Sequence, residues 1–231
     1  MDRVWVIPDF NFWAYPRVAG SFGSFQRESM AIEHDSFAQK RGQLVWRGTL
    51  EFNWELRTAL LKQSEGQAWS DVRELKEDAQ SDFRISMPDH CRYKYAVHTE
   101  GTTWSGRLKY LLSCHSVVFI HHLSWYTHLY HLLIPSGPEQ NYVQAENDWS
   151  DLPVKIEDLI DNPAKAEMIA DNAAATFRDL YFTPAAQTCY WRKLFAIWRD
   201  ITYEPEPFEE VTNKDGSVSK VIKGMTYEEY M

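Results

Sequence analysis

Long apolar runs are missing from this sequence. The longest, Val117 to Ile120, falls far short of the roughly 20 residues that cross a bilayer, so no membrane span is expected. No basic stretch followed by a long apolar one opens the chain, and no signal peptide is read. Basic charge is in deficit, with 24 Lys and Arg against 33 Asp and Glu and a formal net charge of -9. Such a surface repels a phosphate backbone, which argues against nucleic acid as a partner. Cysteine is scarce, three in 231 residues and an odd number. Asp-x-Asp is absent, which removes the usual carboxylate holder of a metal-bound nucleotide sugar. Internal repeats and low-complexity tracts are absent too.

What is present is a globular composition, 44% hydrophobic and 25% charged, sufficient for one large domain or two small ones. Aromatics reach 15%, ten of them Trp, which suits an ordinary core first and a sugar-binding surface second. The chain begins in a strand-like segment, as if cut from something longer.

Gln43 to Trp46 reads as a buried strand and Glu51 to Gln63 as a helix with Leu56, Leu60 and Leu61 inward. After an irregular polar stretch, Ala96 to Thr99 reads as a strand, Ser105 to Ser113 as a helix and Ser116 to Ile120 as a further strand. Repeated strand, loop and helix predict an α/β fold, a parallel sheet flanked by helices. Asn162-Pro163 opens a helix whose apolar face holds Ala166, Ile169, Ala170, Ala173, Phe177 and Leu180. Thr183-Pro184 opens another, with Tyr190, Trp191, Leu194, Trp198 and Ile201 inward. The acidic end reads as a mobile tail in preference to a hairpin at Asp215-Gly216.

The strongest chemical signal is Thr99-Glu-Gly-Thr-Thr-Trp-Ser-Gly-Arg-Leu-Lys109. A strand ends, the chain turns at Gly101 and a helix starts near Ser105, which presents free N–H groups to an anion. Arg107 and Lys109 add charge there, Arg107 through a fork that holds two phosphate oxygens. The spacing from Gly101 to Gly106 approaches a nucleoside-triphosphate loop, but Arg107-Leu108 replaces its Lys and Ser/Thr, and that motif is rejected. The competing reading is an ordinary strand-to-helix turn. Arg47-Gly48 lies at the end of the first clear strand, where ligands of open parallel sheets gather. Arg47 and Arg107 are therefore expected to converge on one diphosphate, against the plainer reading of Arg47 as a salt-bridged strand end.

Five of the eight histidines fall between His115 and His131, and His128 and His131 would share a helical face. No Cys or carboxylate completes a ligand set, so satisfied polar histidines are expected instead of a metal. Cys91 and Cys114 each precede a strand. That leaves open a disulfide, or three reduced buried thiols, the latter favoured on local reading alone.

Taken together, Arg47-Gly48, Asp89 to Tyr95, Glu100-Gly101 through Ser105-Gly-Arg107, Leu111 to Cys114, Ile134 to Tyr142 and Cys189-Tyr-Trp191 resemble the fungal branch of the CAP10 domain. These are family 90 glycosyltransferases, related to protein O-glucosyltransferases and capsule xylosyltransferases. The resemblance runs from about Ile7 to about Ile201. It implies inverting, metal-free transfer of xylose or glucose from a UDP-sugar to a hydroxyl of a polysaccharide, lipid or protein, with no cofactor. The implied fold is the Rossmann-like donor-binding domain of a GT-B enzyme over residues 41–202. Residues 1–40 are then a remnant of a largely missing acceptor-side domain and residues 203–231 an acidic tail. Carried onto this chain, the donor-binding positions are Arg47, Gly48 and Thr49 with Arg57 behind them, and Thr103, Trp104, Ser105, Gly106 and Arg107.

The resemblance also pairs Cys91 with Cys114, joins Cys189 to a cysteine upstream and points to the secretory lumen. The family's catalytic Asp lies upstream of the Ile-Pro-Asp-Phe-Asn-Phe-Trp segment, so no catalytic residue is expected within the chain and Asp9 is a weak substitute. Without that base the chain is expected to bind donor with little turnover. A non-catalytic sugar-nucleotide-binding or interaction protein is the alternative.

Overall fold

The runs around Leu44, Ala96 and Val118 fold as the three central strands of one sheet in the computed structural model. The structure describes residues 5–9, 11–16, 19–32, 36–76, 84–203, 206–225 and 229. In chain order, a small ladder of β1 (Ala14–Tyr15) and β2 (Gly20–Ser21) precedes α1 (Phe22–Ile32). Then come β3 (Arg41–Gly48), α2 (Trp54–Ser64), β4 (Ser70–Glu74), β5 (Tyr93–His98), α3 (Leu108–Ser113), β6 (Val117–His121) and β7 (Val143–Ala145). The sheet order is β4-β3-β5-β6-β7 and every pairing is parallel. The expected α/β fold with a parallel sheet is the observed one. β4 and β7 were not expected; β4 occupies part of the polar stretch after α2.

Alternation along the strands sends side chains to two buried faces, as a parallel sheet covered on both sides requires. Leu44, Trp46, Tyr95, Val97, Val117 and Phe119 pack with Leu56 and Leu60 of α2, with α4 (Leu152–Asp161) and with α5 (Pro163–Ala173). Val45, Ala96, Val118 and Ile120 pack on the other face with Phe22 and Phe25 of α1, Leu111 of α3 and Phe177.

The helix expected from Ser105 begins only at Leu108. Gly106 is a poor helical residue, and the stretch before it is held as a turn by Gly101 N–H donating to the Thr103 carbonyl at 2.9 Å. Helix α5 runs on as a π-helical segment, Ala174–Tyr181. Ala166, Ile169, Ala170, Ala173 and Phe177 are buried as expected, but Leu180 is 55% exposed, because the wider turns rotate it off the apolar face.

The chain separates into two compact units, Met1–Gln187 and Thr188–Met231. Helix α6 (Pro184–Ile201) enters the second. Its expected inward face is open: Trp198 and Ile201 are exposed, and Tyr190, Trp191 and Leu194 are half-buried. The acidic end is not a tail. β8 (Phe208–Thr212) and β9 (Val218–Ile222) pair antiparallel, with Gly216 supplying the positive φ of 84° that the turn needs. Among the described residues no helix is long and apolar enough to cross a membrane.

Candidate functional site

The chain leaves β3 towards β4 on one side of the sheet, and β5 then adds on the other side. The C-terminal ends of β3 and β5 are therefore the point where the winding reverses, and the crevice outside such a point is where open α/β sheets bind ligands. A cavity of about 700 Å³ lies there. Gly48 at the end of β3, Thr49 after it, Arg57 of α2 and the whole turn from Gly101 to Arg107 line it. Eight of the nine sequence-predicted donor positions are thus brought together: Gly48, Thr49, Arg57, Thr103, Trp104, Ser105, Gly106 and Arg107. No carboxylate lies among its described lining residues.

Three guanidinium groups line the cavity, exposed Arg84 at its wall and Arg57 and Arg107 deeper in. Arg57 donates from Nη1 to the Thr49 carbonyl at 2.5 Å and from Nη2 to the Glu100 carbonyl at 3.1 Å. Arg107 donates from Nη1 to the Arg47 carbonyl at 2.5 Å. Among the described residues neither meets a carboxylate. Burial, and then the charge of Arg57, push the Arg107 pKa down to about 10, and burial lowers that of Arg57. Both remain cations at neutral pH. Close by, buried His90 donates from Nδ1 to the Ser86 carbonyl at 2.9 Å. Desolvation, and then the Arg107 charge, bring its pKa down to about 4, so it is neutral.

The turn is tightly framed. Thr102 donates to the Phe52 carbonyl at 3.2 Å, Asn53 to the Gly101 carbonyl at 3.3 Å, and Trp46 Nε1 to Thr99 Oγ1 at 3.1 Å. A Cβ on Gly48 would stand 2.7 Å from the Trp46 ring, and one on Gly106 would meet Trp104 at 3.1 Å and Asn11 at 3.3 Å. A side chain at 48 would therefore force the Trp46 ring or the strand end to shift, and one at 106 would press on Trp104 and Asn11. Thr49 Oγ1 is buried with no hydrogen-bond partner among the described residues, a polar group left for a ligand.

Arg47 and Arg107 do not converge. The Arg47 guanidinium is buried, gripped by both carboxylate oxygens of Asp71 at 2.9 Å. Burial raises the Asp71 pKa, but the Tyr93 hydroxyl at 2.6 Å and Arg47 outweigh it and hold the carboxyl below its usual range. The parallel pairing of β3 with β4 puts an acid within reach of Arg47 that the sequence places 24 residues away. Arg47 instead offers its carbonyl to Arg107.

Lys109 also departs from the anion site. Its ammonium is buried, donates to the Asn11 carbonyl at 2.5 Å and lies 5.0 Å from the Phe12 and Tyr110 ring centroids. Helical spacing explains this, because positions two apart on a helix face different ways. Asp9 lies 3.9 Å from Lys109, and burial raises its pKa against that charge.

The histidines disperse: His115 bonds Asp171 at 2.6 Å, His121 Nε2 accepts the Glu100 N–H at 3.1 Å, and His128 packs on Phe12. Among the described residues no three His, Cys, Asp or Glu side chains are placed to hold a metal. Cys91 and Cys114 form a disulfide, and Cys189 is an exposed thiol. Sequence reading missed Tyr15, Phe52, Arg84 and Tyr110 in the cavity wall. Tyr110 alone had a usable signal, its position three residues beyond Arg107 in a predicted helix.

Comparison with known proteins gives a family, three relatives and one solved structure. The model of glycosyl transferase family 90 matches residues 3–220. The chain is 34% identical over 117 residues to Protein O-glucosyltransferase 2 of Danio rerio, covering 51% of this chain and 23% of the relative. To O-glucosyltransferase rumi of Drosophila pseudoobscura pseudoobscura it is 27% identical over 229 residues, with 88% and 54% covered. To Protein O-glucosyltransferase 1 of Homo sapiens it is 28% identical over 134 residues, with 58% and 33% covered. The chain spans about half or less of the length of these relatives. Sucrose-phosphate synthase from Thermosynechococcus elongatus superposes with a TM-score of 0.48 at 12% identity, over 76% of this chain and 49% of that one.

Proposed function

Since this chain belongs to glycosyl transferase family 90, we propose that its cavity binds the diphosphate of a UDP-sugar, whose sugar is passed with inversion to an acceptor hydroxyl. The observation that carries this reading is the pair Arg57 and Arg107, two cations in one cavity at the winding reversal, hydrogen-bonded to backbone carbonyls. A diphosphate would complete their charge, and Thr49 Oγ1 and the N–H groups from Thr103 to Gly106 would supply neutral donors. Arg47 supports the site by positioning Arg107. The five-stranded parallel sheet and its helices, within residues 41–202, would then form the Rossmann-like donor domain of a GT-B enzyme.

In transfer, the acceptor oxygen bonds to the anomeric carbon as the bond from that carbon to the β-phosphate oxygen breaks. The electron pair leaves with UDP, and fixed guanidinium groups stabilise that developing charge. A carboxylate must take the acceptor proton, and none lies among the described lining residues of the cavity. The relatives' names favour glucose as the sugar and a protein as the acceptor, ahead of xylose and of polysaccharide or lipid. The Cys91–Cys114 disulfide favours an oxidising compartment such as the secretory lumen.

Calorimetric titration with UDP in the presence of a chelator tests the reading. Binding by the wild type, weakened by Arg107→Ala, is expected; absence of binding by the wild type overturns it. UDP release from UDP-glucose or UDP-xylose with added acceptor then separates a transferase from a non-catalytic sugar-nucleotide-binding protein.

A further inference from the structure

Tyr110 stands three residues beyond Arg107, so the two side chains share one face of the helix, and both line the cavity. Its ring is 1% exposed and fixed on several sides. Phe25 meets it edge-on at 4.9 Å, Phe22 at 5.7 Å, and the Lys109 ammonium lies 5.0 Å from its centroid. Clamping the ring fixes where the hydroxyl can be. Among the described residues that hydroxyl is buried and has no hydrogen-bond partner.

A buried, unpartnered phenol is a burden in the free protein, since a phenylalanine of the same shape would pack without it. Desolvation, and then the charges of Asp9 and Tyr15, push its pKa up to about 12, so it keeps its proton and can donate. Among its described lining residues the cavity holds cations and neutral groups only. A buried hydroxyl with no hydrogen-bond partner among the described residues is suited to an acceptor brought by a ligand.

We propose that the Tyr110 hydroxyl is a specificity-determining contact, hydrogen-bonding a hydroxyl of the donor's pyranose ring while Arg107 holds the diphosphate. The inference rests on the UDP-sugar reading above. Side chains three apart on a helix start about 5–6 Å from each other, the separation expected between a contact on a phosphate and one on the sugar it carries. This contact would distinguish a sugar with a hydroxyl at that position from one without it.

The test titrates the wild-type protein and Tyr110→Phe with UDP, UDP-glucose and UDP-xylose, without acceptor. Tyr110→Phe is expected to leave UDP affinity within about twofold and to weaken binding of the cognate UDP-sugar about tenfold, the effect of one hydrogen bond. The melting temperature of the free variant is expected to equal or exceed that of the wild type, which excludes misfolding as the cause. Equal weakening of UDP and UDP-sugar would place the hydroxyl on the nucleotide and overturn the proposal, as would unchanged affinity for both UDP-sugars. Failure of the wild type to bind UDP would instead overturn the donor-site reading, and this inference with it.

Discussion

Arg107 donates to the backbone carbonyl of Arg47, while the Arg47 guanidinium turns away into a two-oxygen pair with Asp71. One arginine is thus structural and the other is directed to the cavity, although both were expected to serve as ligands. Their substitution should separate accordingly.

Asp71→Asn leaves Arg47 buried without its counter-charge, since both side chains are under 10% exposed. The expected loss is about 3–5 kcal/mol of stability, the usual effect of breaking one half of a buried pair. Urea denaturation of wild type and variant measures it. A loss below about 1 kcal/mol would mean that Arg47 finds water or another partner.

Arg107→Ala should do the reverse. Stability is expected to change little, because the side chain gives up one bond to a carbonyl. UDP affinity should fall by about 1.5–3 kcal/mol, roughly 10- to 150-fold, as for a charge-assisted hydrogen bond. Calorimetry and a thermal melt on the same sample decide between the two outcomes.

Gly48→Ala places a methyl group 2.7 Å from the buried Trp46 ring. Trp46 is held by its bond to Thr99, so the strand end has to shift. Weaker UDP binding and a lowered melting temperature are expected, with about 1–3 kcal/mol lost to overpacking. Unchanged binding would show that the Thr49 backbone does not need its present position.

His90 carries a pH dependence whose sign follows from its lowered pKa, about 4 against an unfolded value near 6.5. Between those values the unfolded chain holds the extra proton. The stability contributed by neutral His90 is therefore complete above about pH 6.5 and is lost as pH falls towards 4, by roughly 2 kcal/mol between pH 7 and pH 5. Urea midpoints across that range should fall for the wild type and fall less for His90→Asn.

Reducing the Cys91–Cys114 disulfide opens a loop of sequence separation 23 and should cost about 3 kcal/mol. A melt with and without dithiothreitol measures it, and Cys91→Ser should be insensitive to reductant.

The parts of the fold that were legible are the ones the sheet buries on both faces. Leu44 to Trp46 and Val117 to Ile120 are apolar without interruption, as central parallel strands must be. β4, written Ser-Asp-Val-Arg-Glu, and the three-residue β7 lie at the two edges, where solvent relaxes that demand, and their residues carry little strand signal. At the site, Gly101 and Gly106 and the charge of Arg107 were readable because tight turns and anions demand those residue types, whereas Arg57 came only from the family resemblance and Arg84 was not read. The direction of each cation was not. Lys109 and Arg107 differ by two positions on a short helix, and Arg47 differs from a ligand only through Asp71 on a neighbouring strand.

Local chemistry written along the chain therefore decided which stretches become strands, where the backbone must turn on glycine and which residue types can meet a diphosphate. Only the folded arrangement decided which charges are neutralised and which face the cavity, because pairing between β3 and β4 joins groups distant in sequence. A guanidinium beside a buried carboxylate is held by Coulomb attraction strengthened in a low dielectric, whereas one bonded to carbonyls keeps its charge available for a ligand.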